Sequence, residues 1–349
     1  MKNRERVVFF DALNVVSCIA VVGMHVNGTA VNTFSKSGNW LFSMFIDCLC
    51  YFAVPIFFML SGATLIDYRK RYDTGTFIRK RLKRTMVPFI CWSIIAILWC
   101  ILALRCLTWE DVNSPVKLIN VIFNVKAFNI YYFFIDLFAI YLCIPFLGMI
   151  SAEKRIGKKG AYTYLIIYAF LSISFLPVVL GQFGIEWNSS LQNPLTGGYL
   201  IYVLLGYCLS KVELNKKNRY VIYMLGLIGF IVHYGMTTLL SYRDGAINFT
   251  FRGYLNFPTV LYAIAVFVAF RYVQWDKHEK LVHVVSRLSG VSFGVYLIHK
   301  YPIYVICYLL QIDGFSIAWR IIGTMTVYVL SVVGVMCIQK IPLLKKLIP

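Results

Sequence analysis

Ten apolar stretches run through this chain, each near the roughly 20 residues that carry a helix across the hydrocarbon of a bilayer. They lie at residues 7–27, 43–66, 86–105, 128–150, 162–180, 197–210, 220–241, 254–272, 289–309 and 317–338, the sixth being the shortest. Inside lipid no water is available to stray backbone N–H and C=O groups, so each stretch has to close its own hydrogen bonds as a helix. The expected fold is an all-α, polytopic transmembrane helix bundle of about ten spanning helices, forming a single integral membrane domain over residues 1–349. Pro55, inside the second stretch, removes a backbone donor and is expected to bend its helix. The connections on the side away from the basic loops, 28–42, 106–127, 181–196, 242–253 and 310–316, are too short to form a separate catalytic domain.

Charge sets the orientation. Only 14% of residues are charged, yet the net charge is +19. In a soluble chain this excess would suggest nucleic acid, but no basic stripe stands apart from the apolar stretches, so nucleic-acid binding is not expected. Instead 26 of the 34 lysines and arginines fall at the two termini and in alternate loops, 66–85, 151–160, 211–219 and 271–287. Cytosolic loops of membrane proteins carry this bias, which predicts both termini in the cytosol and an even number of crossings.

The first stretch is not purely apolar. Asp11, Asn14, Cys18 and His25 interrupt it. Eleven residues separate Asn14 from His25, three turns plus about 20°, so both share one helix face about 16 Å apart along the axis. Ionisable groups within a membrane are costly and usually face a cavity or a partner. The alternative for His25 is an interfacial residue capping the helix end. His299, one turn after Tyr296 and beside Lys300 and Pro302, is placed to line the same cavity as His25, or to pack as a satisfied core histidine. Asp136, deep in the fourth stretch, either orients one of these histidines or makes a helix–helix hydrogen bond. Arg81 and Arg84, three apart at the start of the third stretch, sit on one helix face and can grip a phosphate. The bland reading of that pair is a topology anchor touching anionic headgroups. His233 has no motif around it. The ten cysteines and five histidines show no metal-ligand spacing, and no metal is expected. Neither a nucleophile elbow, a zinc-protease motif, a phosphate loop nor a dinucleotide fingerprint is present.

Six segments together carry a resemblance. FDALNVVSCIAVVGMHVNG, VPIFFMLSGATLI, FIRKRLKRTMVPF, YYFFIDLFAIYLCIPFL, GGYLIYVLLGYCLS and SFGVYLIHKYPI occur in this order across nearly the whole chain. In order and spacing they resemble acyltransferase family 3, bacterial membrane O-acyltransferases acting on cell-surface glycans. The resemblance implies ten helices in the bacterial cytoplasmic membrane and an acyl-CoA donor, usually acetyl-CoA, on the cytosolic side. It implies an acceptor hydroxyl, on a cell-surface glycan or lipid-linked sugar, reached from the outer side. Some members add an extracytoplasmic esterase-like domain, which is not expected here.

The family's first-helix signature is a basic residue, ten intervening residues and a histidine. His25 falls on the histidine, whereas Asn14 stands in the basic position. Asparagine keeps hydrogen-bonding capacity without charge. The family's Arg-x-x-Arg pair falls on Arg81 and Arg84, and its later histidine on His299. On this resemblance His25 is the general base, or a transient acyl carrier, oriented by Asp136, Asp11 or Tyr296, and the catalytic set is His25, Asp136 and His299. Asn14, Arg81 and Arg84 become the donor-binding positions, and membrane lipids and the glycan acceptor the partners. A transporter or flippase of glycan intermediates, or a non-catalytic member of the family, are the competing expectations.

Overall fold

The computed structural model describes residues 7–152, 158–184, 197–277, 279–342 and 344–348, and these residues contain helices and no strand. The basic residues Lys2, Arg4, Arg6, Lys154 and Arg155, and most of the 181–196 connection, lie outside the described residues. Among the described residues, eight helices are long and apolar enough to cross a membrane. In chain order with three shorter apolar helices, they are α1 Val8–Val26, α2 Gly38–Lys70, α3 Thr74–Leu104, α4 Asn129–Ile150, α5 Tyr162–Gly181, α6 Leu200–Lys211, α7 Lys216–Asp244, α8 Phe257–Arg271, α9 Glu279–Ile298, α10 Lys300–Leu310 and α11 Trp319–Lys340.

Two of the expected spans are interrupted, and proline explains both. In α2 the helix pauses at Tyr51 and Phe52 and resumes at Ala53. Pro55 lacks the N–H that would bond the Tyr51 carbonyl, so the bend read from the sequence is present. The stretch 289–309 is two helices meeting at His299. Here Pro302 removes the donor for the Ile298 carbonyl and its ring crowds that oxygen. α7 is longer than its apolar stretch because the flanks cap it. The Asn215 side chain accepts from the Asn218 amide at 2.8 Å, and Gly245 ends the helix at φ +66°.

The chain forms two compact units, one of residues Met1–Leu65 and Arg155–Val333, the other of Ile66–Lys154 and Gly334–Pro349. The first is built on glycine seams. A Cβ on Gly62 of α2 would overlap the backbone of Val203 in α6, and one on Gly206 of α6 would overlap the backbone of Met59 in α2. Gly226 and Gly229 of α7 meet Ala265, Leu261 and Pro258 of α8 in the same way. Lipid offers no hydrophobic drive between helices, so close backbone approach through small residues supplies the packing. The other face of α7 is apolar and open, with Ile231 57% and Leu239 63% exposed, as suits a helix face against acyl chains. Inside this unit the Asp47 carboxylate of α2 pairs with Arg252, from the α7–α8 connection, at 2.9 Å, with only 3% and 8% of their side chains exposed.

The second unit gathers aromatic side chains of α3 and α4, including Phe89, Tyr131, Phe134 and Phe138. The Trp92 indole donates to the Leu347 carbonyl at 3.1 Å, which ties the C-terminal segment to α3. Asp73 caps the start of α3 by accepting from the Thr76 amide at 2.9 Å and the Thr76 hydroxyl at 2.7 Å. These two hydrogen bonds hold its carboxyl below the usual carboxylate range.

Candidate active site

The polar stripe of α1 is matched, position by position, by α9. Ser286 donates to the Asp11 carboxylate at 3.0 Å. The Asn14 amide donates to the Ser289 hydroxyl at 3.0 Å and to its carbonyl at 3.2 Å. The Cys18 thiol donates to the Ser292 carbonyl at 3.6 Å. At the top of the stripe, His25 Nδ1 and His299 Nε2 are 2.8 Å apart. Numbers rise together along both helices, so α1 and α9 run parallel. The contacts recur at steps of three, four and seven on α1 and of three, three and seven on α9, spacings that keep one seam between two helices crossing at a shallow angle. The seam is polar throughout, and polar contacts bind helices together where both are surrounded by lipid.

This seam gives Asn14 a definite place. Its amide is spent on Ser289, which anchors α1 to α9 three turns below the histidines. It carries no cation there. Asp11, bound to Ser286, lies lower still on the same seam and is not a partner of either imidazole.

The histidine pair has a readable proton order. His299 is fully buried at the junction of α9 and α10. Its Nδ1 faces two backbone carbonyls, Val295 at 3.1 Å and Tyr296 at 2.8 Å. A carbonyl only accepts, so Nδ1 carries the proton. With both rings neutral, His299 Nε2 is then an acceptor, and the hydrogen between the rings belongs to His25 Nδ1. That leaves a lone pair on His25 Nε2. His25 is only half-buried, whereas His299 is sealed. The backbone of α9 thereby sets the tautomer of His299, and His299 sets that of His25. This is the orienting role that a carboxylate plays in many hydrolase triads. Among the described residues neither imidazole is hydrogen-bonded to a carboxylate. Tyr296, a candidate orienting residue, contributes through its carbonyl.

Lys300 follows directly, as the first residue of α10. Its ammonium is close enough to act electrostatically on both imidazoles. It sits 5.7 Å from the centre of the Tyr304 ring.

The other predicted positions belong to the second unit. Asp136 is half-buried on α4. The Arg81 guanidinium lies 5.9 Å and 6.0 Å from the ring centres of Phe77 and Tyr141. Arg84 is exposed. Arg84 sits within a π-helical turn, Leu82–Met86, closed by the Val87 amide on the Leu82 carbonyl. Pro88 lacks the donor for the Arg84 carbonyl, and the wider turn absorbs the mismatch. Arg81 packs over the aromatic rings, Arg84 is exposed, and both lie near the Tyr141 hydroxyl.

His233, read from the sequence as structural, is buried on α7 with the Tyr51 ring edge-on at 4.8 Å. What the sequence reading missed is the row Ser286, Ser289, Ser292 leading to His299. The signal was available: small polar residues three apart, ending in a histidine, mirror the α1 stripe. Serines are ordinary in membrane helices, so the row stood out only beside its partner.

A family model described as an acyltransferase domain, that of acyltransferase family 3, matches residues 7–338. No curated protein and no solved structure matches the chain.

Proposed function

We propose, for a chain that belongs to acyltransferase family 3, transfer of an acyl group from cytosolic acyl-CoA to a hydroxyl of a cell-surface or lipid-linked glycan, with acetyl-CoA as donor. The observation that carries this reading is the lone pair on His25 Nε2, set by the chain Val295 and Tyr296 carbonyls, His299, His25. A base with a fixed tautomer is what removal of a proton from an acceptor hydroxyl requires.

In the reaction the acceptor oxygen attacks the thioester carbonyl while its proton passes to His25 Nε2. The tetrahedral intermediate collapses, the carbon–sulfur bond breaks, and the proton returns from His25 to the departing thiolate. His299 holds the imidazolium in place through its Nε2 lone pair. Arg81 and Arg84 bind the donor's phosphates, as guanidinium groups do well. Asn14 serves as the fastener of the α1–α9 seam, so donor charge is met elsewhere. Asp136 belongs to the catalytic set of this reading.

The topology that fits this reaction has both termini and the basic loops in the cytosol of a bacterium. This reading takes α9 and α10 as one interrupted crossing and counts the shorter α6 and α8 as crossings, for ten in all. His25, near the end of α1, then lies in the outer half of the membrane. The test is mass spectrometry of ester-linked acetyl groups on the envelope glycan of cells carrying wild-type or His25→Ala protein at equal membrane abundance. Loss of the acetyl groups is expected in the variant. Undiminished acetylation would remove His25 from the reaction.

A further inference from the structure

Among the described residues of the first unit, the basic side chains of Arg252, Arg271 and Arg320 reach away from open solvent and are fully provided for. Arg252 pairs with Asp47. Arg271 donates to the Leu209 and Val212 carbonyls and to the Glu213 carboxylate. Arg320 donates to the Asn39 side chain and to the Asn39, Phe315 and Ser316 carbonyls. Lys300 is the exception. It is only partly exposed, and among the described residues its ammonium has neither a carboxylate nor a hydrogen-bond acceptor. The Tyr304 ring at 5.7 Å is its one polar contact, and that is weak at this distance.

A cation partly withdrawn from water without a partner destabilises a fold. It does not help α9 and α10 pack. It makes sense if negative charge develops beside His25 for part of the catalytic cycle. Position supports this. Lys300 is adjacent in sequence to His299 at the break between α9 and α10, and His299 is 2.8 Å from the base.

Building on the acyl-transfer reading above, we propose that Lys300 supplies the charge that stabilises the oxyanion of the tetrahedral intermediate. As the acceptor oxygen bonds to the thioester carbon, the carbonyl π pair moves onto its oxygen, and the ammonium of Lys300 meets that negative oxygen. When the carbon–sulfur bond breaks, the pair returns to reform the carbonyl and the proton held by His25 goes to the thiolate. No oxidant or further reactant is involved. In the resting state the cation is unpaired, and only the transition state and intermediate give it a partner. Binding realised only at that point raises kcat without tightening the substrate.

The experiment uses the full chain in lipid nanodiscs, acetyl-CoA as donor and octyl glucoside as acceptor, with thiol release followed with and without acceptor. Lys300→Met should lower kcat by about 100-fold or more, in line with loss of one oxyanion donor, with KM for both substrates little changed. Lys300→Arg should recover a substantial part of the loss. The melting temperature of Lys300→Met should equal or exceed that of wild type, because an uncompensated charge has been removed. A merely structural lysine would instead lower it. The proposal is overturned if Lys300→Met keeps wild-type kcat, if its effect falls on KM alone, or if Lys300→Arg is as inactive as Lys300→Met while both melt early. A wild-type chain that releases no thiol from acetyl-CoA overturns the acyl-transfer reading, and this proposal with it. Wild-type turnover with an unaffected Lys300→Met overturns this proposal alone.

Discussion

The tautomer relay predicts an unusual double-variant result. His299→Leu keeps the site apolar and buried but removes the acceptor that His25 Nδ1–H uses at 2.8 Å. A buried donor left unsatisfied costs about 1–3 kcal/mol. His25 can avoid that cost by rotating, or by moving its proton to Nε2. Either escape removes the base from the acceptor hydroxyl. At about 1.4 kcal/mol per tenfold, the expected fall in kcat is roughly 5- to 150-fold. His299→Gln should lose less, because its side-chain oxygen accepts from Nδ1–H and its NH2 can donate to the Val295 and Tyr296 carbonyls. His25→Ala removes the base itself and should cost about 100- to 10,000-fold. If His299 acts only through His25, His25→Ala/His299→Leu should be no slower than His25→Ala alone. The assay is thiol release from acetyl-CoA by protein in nanodiscs, with membrane abundance matched. Multiplicative losses in the double variant would show that His299 acts independently, and the relay would be wrong. Equal activity of His299→Leu and His299→Gln would refute the acceptor argument.

Three further outcomes follow from the packing. Asp47→Ala leaves Arg252 charged and unpaired and should cost about 3–5 kcal/mol, whereas Asp47→Leu/Arg252→Met should recover most of it, as read by thermal unfolding in detergent. Gly62→Ala and Gly206→Ala place a Cβ against backbone atoms and should sharply reduce folded protein in the membrane, while Gly235→Ala and Gly290→Ala meet open space and should be tolerated, as judged by size-exclusion profiles. The Asp73 cap has a depressed carboxyl pKa, so its contribution is present above the unfolded value of about 3.9 and is lost as pH falls through the lower folded value. Hydrogen exchange at the Thr76 amide should therefore lose protection in acid in the wild type and show no such dependence in Asp73→Asn.

Much of the molecule was legible from local chemistry. Apolar length located the membrane helices, since a segment in lipid must satisfy its own backbone whatever its neighbours do. Pro55 announced the pause at Tyr51 because a missing N–H acts within one turn. The stripe Asp11, Asn14, Cys18, His25 was visible because helical periodicity puts spaced residues on one face. At Arg81 and Arg84 the local geometry was not legible, because Pro88 shifts the helix there to a π turn.

Tertiary structure decided what each polar group meets. Ser289 lies 275 residues from Asn14, and Arg252 lies 205 from Asp47. No periodicity in the chain links such pairs, because packing between helices chooses them. The proton order of the histidines is of the same kind. It depends on two carbonyls of α9 facing one nitrogen, and backbone direction in space is a property of the assembled helices. Lys300 reads in the sequence as a neighbour of His299 and nothing more. Only the arrangement of the folded unit makes it, among the described residues, a cation without a counterion next to His299.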